Sequence, residues 1–278
     1  MPVALIPGFT LPSLPLGPIT IQSFGVLTAL GVITAVYLAG RAAKGMGRDP
    51  QVVMDFAVVG VLSGVVFGHL VHVFLYHPDE LRGGWQALKF WEGLSSMGGL
   101  VGGMVAALAW FPWKRIRFAD YSDAIALGMA PGWGVARVGC FTVHDHPGIR
   151  TDFFLAVEMK GVPRHDLGLY EALLLFALGA LLWTLHRRGV LRGRLLALLG
   201  LLYGTARFFL DFLRARQGDV EYADGRLAFH PAWPFVTTDP SGSLTPAQVI
   251  VVFVVAYSIW RLATHRPEPV RVRAGKAA

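Results

Sequence analysis

The sequence contains a single cysteine, Cys140, among its 278 residues. A lone cysteine cannot form a disulfide within the chain, and it excludes any CxxC motif. Charged residues are also scarce, because they make up 15% of the chain where an ordinary soluble domain has about a quarter. Hydrophobic residues make up 54%. No low-complexity tract or internal repeat is evident, so we expect one integral-membrane domain over residues 1–278.

Positive charge is absent from the first twenty residues. A removable signal peptide begins with a positively charged segment, so this N-terminus predicts a permanent first membrane helix. Seven stretches are apolar and long enough to cross a bilayer. They lie at 21–40, 52–76, 97–113, 121–141, 168–185, 195–213 and 246–263. The expected fold is all-α, a polytopic membrane protein with seven transmembrane helices.

Lysine and arginine cluster after the first, third, fifth and seventh stretches. The clusters are Arg41, Lys44 and Arg48; Lys114, Arg115 and Arg117; Arg187, Arg188, Arg192 and Arg194; and Arg266, Arg271, Arg273 and Lys276. Such clusters mark cytoplasmic loops, which predicts an N-out, C-in topology. The basic residues that give the net charge of +7 then orient the chain in the membrane, where they lie close to anionic headgroups. We expect no nucleic-acid binding, because the basic residues form no continuous face.

The unusual polar residues fall mainly at the outward ends of these helices. Ionisable groups inside a membrane are costly unless they are paired or face a cavity. We therefore expect a polar cavity open to the outer leaflet. The residues expected around it are His69, His72, Ser95, Ser96, Arg137, His144, Asp145, His146, Arg164, His165, Tyr170, Glu171, Arg207, Asp211 and Arg214.

Arg207, Asp211 and Arg214 share one helix face at i, i+4 and i+7. One interpretation is a structural ion pair that joins this helix to a neighbour. The other is an anion site, because guanidinium groups in excess of carboxylate can grip a phosphate, with Arg137 as a further cation. A cluster of arginines beneath the outer headgroups suits a phospholipid.

Glycines open the third stretch, at 98–99 and 102–103. Their small-xxx-small spacing is typical of close helix packing. The free N–H groups of a helix start can also hold an anion, and the two uses are compatible.

Five sequence runs resemble motifs of the prolipoprotein diacylglyceryl transferases. They are WEGLSSMGGLVGG (91–103), ARVGCF (136–141), RHDLGLYEA (164–172), YGTARFFLDFLR (203–214) and LTPAQ (244–248). The resemblance implies a bacterial inner-membrane enzyme with seven helices and a site toward the periplasm. It implies transfer of the diacylglyceryl group of phosphatidylglycerol to the lipobox cysteine of a prolipoprotein, with no cofactor. The implied partners are phosphatidylglycerol, the signal-peptide segment and membrane lipids.

The expected site combines this resemblance with the polar pattern. By resemblance, Arg137 matches the family arginine that binds the lipid headgroup, and Arg207 matches a second essential arginine. The catalytic candidates are Arg137, Arg207, Asp211, Asp145 and His146. The candidates for substrate binding are Arg137, Gly98, Gly99, Gly139, Tyr170, Glu171 and Arg214.

The chain departs from the family pattern at several polar positions. Met97 replaces a histidine considered a general base, Phe24 replaces a tyrosine, and Cys140 and Val143 replace asparagines. His69 stands where an arginine is usual.

Histidines that the family pattern lacks lie at the same level of the membrane, and one of them could replace the lost base. Alternatively they could bind zinc or iron, through His69, His72, His144 and His146. Three functions thus stay open: a divergent diacylglyceryl transferase, a metal-dependent enzyme on the same scaffold, and a non-catalytic phospholipid-binding protein.

Overall fold

The computed structural model describes residues 6–11, 13–16, 19–76, 84, 95–215 and 244–264. These residues contain seven α-helices: α1 (Ser23–Gly45), α2 (Pro50–Val71), α3 (Ser96–Trp113), α4 (Ala119–Val143), α5 (Leu167–Arg187), α6 (Leu195–Leu210) and α7 (Pro246–Thr264). Strands β1 (Leu14–Leu16) and β2 (Ile19–Ile21) form an antiparallel hairpin. A second antiparallel sheet, in the order β3-β5-β4, contains β3 (Pro147–Arg150), β4 (Val157–Met159) and β5 (Val162–Asp166).

Each predicted apolar stretch corresponds to one helix, and six helices are long and apolar enough to cross a membrane. The chain is therefore a polytopic membrane protein. The apolar part of α3, Gly98–Trp113, is shorter. The all-α prediction was wrong in leaving out five short strands, which lie before α1 and between α4 and α5. Two helix ends also differ: α2 passes into a π-helix at His72–Tyr76, and α6 passes into a 3-10 turn at Asp211–Leu213. The last basic cluster, from residue 266 onward, lies outside the described residues.

Small residues bring the helices into close contact. A Cβ atom on Gly128 of α4 would lie 2.1 Å from the carbonyl oxygen of Ala35 in α1. On α3, a Cβ atom at Gly98 or Gly102 would lie 2.3 Å or 2.4 Å from a carbonyl oxygen of α2. Only glycine permits such backbone approaches. The packing role predicted for the glycines of α3 is thus confirmed at these two positions.

Trp183 of α5 repairs a defect in the hydrogen bonding of α4. Pro131 lies inside α4 and has no N–H group, so the carbonyl of Leu127, four residues earlier, loses its normal helical donor. The indole Nε1 of Trp183 donates to that carbonyl at 3.0 Å. Leu127 is fully buried, so water cannot replace this donor.

We expect Trp183→Phe to lower the free energy of unfolding by about 1 kcal/mol, because it leaves a buried carbonyl unpaired. Pro131→Ala restores a backbone donor and should reduce that cost in the double variant. Denaturant unfolding of the four proteins in detergent measures the coupling. Equal costs of Trp183→Phe in both backgrounds would contradict the repair.

The two ends of the bundle differ in their polar contacts. At one end, Arg48 pairs with Asp120 at 2.8 Å, and Asp123 accepts from the backbone N–H of Leu195 at 2.9 Å. These contacts join the α1–α2, α3–α4 and α5–α6 connections. The opposite end contains the start of α1, the end of α4, the β3-β5-β4 sheet and the end of α6. The predicted basic clusters in the described residues all lie at the first end.

His144 joins three segments at the opposite end. Its Nδ1 lies 2.6 Å from an Asp166 carboxylate oxygen, and its Nε2 lies 2.6 Å from the carbonyl oxygen of Phe9. Both partners are acceptors when Asp166 is ionised, so the imidazolium form satisfies both contacts. Burial alone would lower the pKa of His144, but the hydrogen bond and the charge of Asp166 raise it above its ordinary value, with a smaller contribution from Asp145.

A raised pKa means that protonated His144 stabilises the folded chain below its ordinary pKa of about 6.5. The contribution is lost as the pH rises through the raised value. We therefore expect residues 6–11 to exchange their amide hydrogens faster at about pH 9 than at about pH 6, after correction for intrinsic rates. His144→Phe should remove this difference. A wild-type protection that does not change with pH would contradict the role of His144.

Candidate active site

A buried carboxylate, Glu171, lies between two arginines near the start of α5. The Nε atom of Arg137 in α4 is 3.0 Å from Glu171 Oε2, and the Nε atom of Arg207 in α6 is 3.5 Å from Oε1. Both contacts are ion pairs rather than aligned hydrogen bonds, because Glu171 Oε1 and Arg137 Nε have no hydrogen-bond partner among the described residues. Tyr203 supplies the aligned bond, since its hydroxyl donates to Oε2 at 2.6 Å.

A second carboxylate, Asp211, continues this chain of charges beyond Arg207. Its Oδ1 atom accepts from Arg207 Nη1 at 2.6 Å and from Arg214 Nε at 3.0 Å. The hydroxyl of Thr245, just before α7, donates to Oδ2. Gln248 fixes this junction, because its Nε2 donates to the Phe208 carbonyl at 3.0 Å. The start of α7 therefore holds the end of α6 in place.

Positive charge exceeds negative charge in this arginine cluster, which we define as Arg137, Glu171, Arg207, Asp211 and Arg214. It contains three guanidinium groups and two carboxylates. Arg137 is 5% exposed and Arg207 is 7% exposed. A buried cation in excess favours binding of an anion, and guanidinium forks match a phosphate.

A second group of side chains lies on the other side of Arg137. Its Nη1 atom is 3.6 Å from Cys140 Sγ and 3.2 Å from His146 Nε2. His146 Nδ1 lies 2.6 Å from a carboxylate oxygen of Asp145. Because arginine only donates, His146 accepts at Nε2 and carries its proton at Nδ1, where it donates to Asp145. The side chain of Asp145 is 37% exposed, so water screens its charge.

Backbone contacts fix the loop that carries this group. The N–H of Leu167, the first residue of α5, donates to the His146 carbonyl at 3.2 Å, and the N–H of Ala215 donates to the Pro147 carbonyl at 3.0 Å. Gly148 also forms a β-bridge with Arg214. The loop therefore connects the end of α4 with the start of α5 and the end of α6.

Seven of the predicted site residues come together here: Arg137, Asp145, His146, Glu171, Arg207, Asp211 and Arg214. For the glycines predicted to bind substrate, the structure shows packing against neighbouring helices. Gly98 packs against α2, and the nearest atom to a Cβ at Gly99 would be 3.9 Å away, in Gly64. Gly139 packs against α1, where its Cβ would lie 3.2 Å from the Leu27 Cβ.

Tyr170 lines a separate, mainly apolar cavity. Its hydroxyl lies 2.8 Å from His165 Nδ1, and burial lowers the pKa of His165. The cavity has a volume of about 390 Å³. Its lining residues are Phe153, Leu155, His165, Tyr170, Leu173, Leu210 and Leu213.

The structure does not assemble the alternative set of four metal-binding histidines. The rings of His69 and His72 stack on each other, with centroids 6.3 Å apart. Both nitrogens of His144 contact Asp166 and Phe9, and His146 contacts Arg137 and Asp145. In the described part of the chain, the one close group of three metal-ligating side chains is Cys140, Asp145 and His146.

Several residues of the site were not predicted. Tyr203 lies four residues before Arg207, so the spacing of the YGTAR run could have placed both on one helix face. Thr245 and Gln248 belong to a predicted motif, but their partners lie on another helix. The Trp133 ring lies 6.0 Å from the Arg137 guanidinium carbon and 4.6 Å from the Tyr203 ring. No local pattern reports such contacts.

The fold and this cluster define a class of protein: a polytopic helical membrane protein with an arginine-rich cluster of ion pairs buried at one end of its bundle. The sequence profile of the prolipoprotein diacylglyceryl transferases matches residues 13–264. The chain belongs to the prolipoprotein diacylglyceryl transferase family.

Similar proteins carry the name phosphatidylglycerol–prolipoprotein diacylglyceryl transferase. The protein of Aeromonas hydrophila is 32% identical over 211 residues, covering 72% of this chain and 76% of the relative. That of Chromohalobacter salexigens is 31% identical over 206 residues, covering 72% and 77%. That of Oceanobacillus iheyensis is 26% identical over 218 residues, covering 72% and 75%.

Proposed function

We propose that this chain transfers the diacylglyceryl group of phosphatidylglycerol to the lipobox cysteine thiol of a prolipoprotein. The family and the names of the relatives support this reaction. The partners are then phosphatidylglycerol, the signal-peptide segment of the prolipoprotein and the surrounding membrane lipids. The location that follows is the inner membrane of a bacterium.

The proposed arrangement is a single membrane domain of seven spans, with the N-terminus outside and the C-terminus inside. The described basic clusters lie at one end of the bundle and the arginine cluster at the other, and the positive-inside bias assigns the first end to the cytoplasm. The arginine cluster then forms a polar cavity toward the periplasmic leaflet. Its charges lie at the level of lipid headgroups, where a phosphate is available.

The observation that carries the proposal is the third guanidinium of the arginine cluster. Glu171 and Asp211 neutralise two of the three positive charges, and the phosphate of phosphatidylglycerol supplies the missing negative charge. Arg137 and Arg207 point toward the same carboxylate, so a phosphate beside them can receive hydrogen bonds from both. Glu171, Tyr203 and Thr245 hold the arginines in position.

In this reaction the prolipoprotein thiol loses its proton, and the sulfur forms a bond to the terminal glyceryl carbon of the diacylglyceryl group. The bond between that carbon and the phosphate oxygen breaks, and glycerol 1-phosphate leaves with the bonding electrons. The negative charge that grows on the departing phosphate is stabilised by fixed guanidinium groups. The arginine cluster thus serves both lipid binding and departure of the leaving group.

His146 is the base in this proposal. Its Nε2 carries a lone pair and lies beside Arg137, and Asp145 fixes the tautomer through Nδ1. An imidazole held in this way can take the thiol proton, and the carboxylate stabilises the imidazolium that forms. In this role His146 replaces the family histidine, in whose position this chain has Met97.

Complementation of a bacterial strain depleted of its own transferase tests the proposed function. We expect the wild-type chain to restore growth and lipidation of a reporter prolipoprotein. The level and membrane insertion of the chain are measured in the same cells. A chain that inserts at normal levels and does not restore lipidation would contradict the proposal.

A further inference from the structure

Three side chains of different chemistry converge beside Arg137. Cys140 Sγ, one carboxylate oxygen of Asp145 and one ring nitrogen of His146 all lie within 4.8 Å of one another. Thiolate, carboxylate and imidazole are the ligands that zinc takes in proteins. A buried thiol beside a partly exposed acid and histidine also differs from a cluster of surface acids, because sulfur selects soft metal ions.

We propose that Cys140, Asp145 and His146 form a binding site for a thiophilic divalent cation such as Zn²⁺, and that metal binding there inhibits the enzyme. The binding half of the proposal depends only on these three residues. The inhibitory half rests on the proposed function, because it assigns roles to Arg137 and His146.

The turn after α4 explains why the three side chains converge. His144 ends α4 in the left-handed conformation, with φ of 50°, and this reverses the direction of the chain. Asp145 and His146 are thereby returned toward the last turn of the helix, where Cys140 lies. Ligands that lie about 2.0–2.3 Å from one zinc ion are less than 4.8 Å apart, so the three side chains must move toward a common point to close the site.

Arg137 now makes the contacts that a metal ion would make. Its Nη1 atom lies between two of the three ligands, 3.6 Å from Cys140 Sγ and 3.2 Å from His146 Nε2. A divalent ion bound by these ligands takes the place of this N–H group and repels the guanidinium. The ion also binds His146, either at the lone pair of Nε2 or at Nδ1, where it displaces the proton. Metal binding and catalysis are therefore mutually exclusive.

Cobalt absorption tests the binding half directly. Cys140 is the only cysteine in the chain, so any sulfur-to-cobalt charge-transfer band of the purified full-length protein reports this residue. We expect one Co²⁺ per chain to produce the band, Zn²⁺ to displace it, and Cys140→Ser to abolish it. His165→Ala is the matched control, because it removes a histidine at the same end that lies outside the group. Absence of the band at saturating Co²⁺, or its persistence in Cys140→Ser, would overturn the site.

Transfer assays with added Zn²⁺ test the inhibitory half. We expect Zn²⁺ to inhibit the wild-type enzyme and a chelator to restore its rate. Cys140→Ser should need at least about tenfold more Zn²⁺ for the same fractional inhibition, because it lacks one of three ligands. If the cobalt band appears but Zn²⁺ does not inhibit transfer, the metal site stands and the proposed inhibition is wrong. Metal-free protein that inserts correctly but never transfers would instead contradict the proposed function, and the absorption result would still decide the metal site.

Discussion

Arg137→Ala is expected to lower the rate of diacylglyceryl transfer by about 10³-fold. Arg137 contacts Glu171 with Nε and the Cys140–His146 group with Nη1, so it connects the anion site with the proposed base. Its loss removes the excess positive charge that the phosphate neutralises. It also removes the fixed charge that stabilises the leaving group. Transfer from phosphatidylglycerol to a lipobox peptide in detergent micelles measures the effect.

Loss of stability must be separated from loss of chemistry in this variant. Removing Arg137 leaves Glu171, which is fully buried, with one cationic partner fewer, and breaking a buried ion pair costs about 3–5 kcal/mol. Arg137→Lys keeps the charge that balances Glu171 but loses the planar fork of donors. We expect this variant to unfold near the wild-type temperature and still to transfer about 10²-fold more slowly.

Arg48→Ala is the matched control for Arg137. Arg48 also forms an ion pair, with Asp120 at 2.8 Å, but it lies at the opposite end of the bundle with a side chain that is 43% exposed. Exposed ion pairs contribute about 0–1 kcal/mol, so transfer by this variant should stay within about twofold of wild type. If Arg137→Lys folds and transfers as fast as the Arg48→Ala control, a positive charge alone suffices at this position. That result would contradict bidentate binding of the phosphate by Arg137.

The membrane helices could be predicted because hydropathy and helix length act locally along the chain. All seven apolar stretches became helices, and the distribution of basic residues matches the two ends of the bundle. The π-helix after α2 and the 3-10 turn after α6 escaped prediction. Both lie at the end of the bundle that contains the arginine cluster, where contacts between helices decide the backbone. The hydrogen bond from Trp183 to the carbonyl that Pro131 leaves without a helical donor was not predicted either, because donor and acceptor belong to different helices.

The candidate site likewise contains some residues that local spacing predicts and others that only the folded structure brings together. Arg207, Asp211 and Arg214 lie in one continuous segment, from the last turn of α6 through the 3-10 turn to the residue after it, so their spacing alone predicted that they lie together. Cys140 was noted only as a replacement for a family asparagine, and its contact with Arg137 became visible in the structure. The alternative metal site combined His144 with His146, but the left-handed turn at His144 separates them: His144 holds the N-terminal segment and His146 faces the arginine cluster.

His146→Ala is expected to lower the transfer rate by about 10²-fold or more, the contribution typical of a general base. The loss should fall mainly on kcat, because the proposed function places phosphatidylglycerol against the arginine cluster and not against the imidazole. Raising the pH of the assay should restore part of the rate, because a thiol with an ordinary pKa of about 8.5 ionises without a base. Rates at saturating lipid over a range of pH measure both effects.

Two controls separate a catalytic role of His146 from a structural one. His165→Ala removes an imidazole from the same end of the bundle, where it contacts Tyr170 rather than the arginine cluster, and should have the smaller effect. Met97→His restores the family histidine, and we expect it to change the rate less than His146→Ala does. If the double variant Met97→His/His146→Ala recovers the rate, the two histidines perform the same proton transfer from different parts of the chain, α3 and the loop after α4. If His146→Ala alone transfers at the wild-type rate at neutral pH, His146 is not the base and another group must accept the thiol proton.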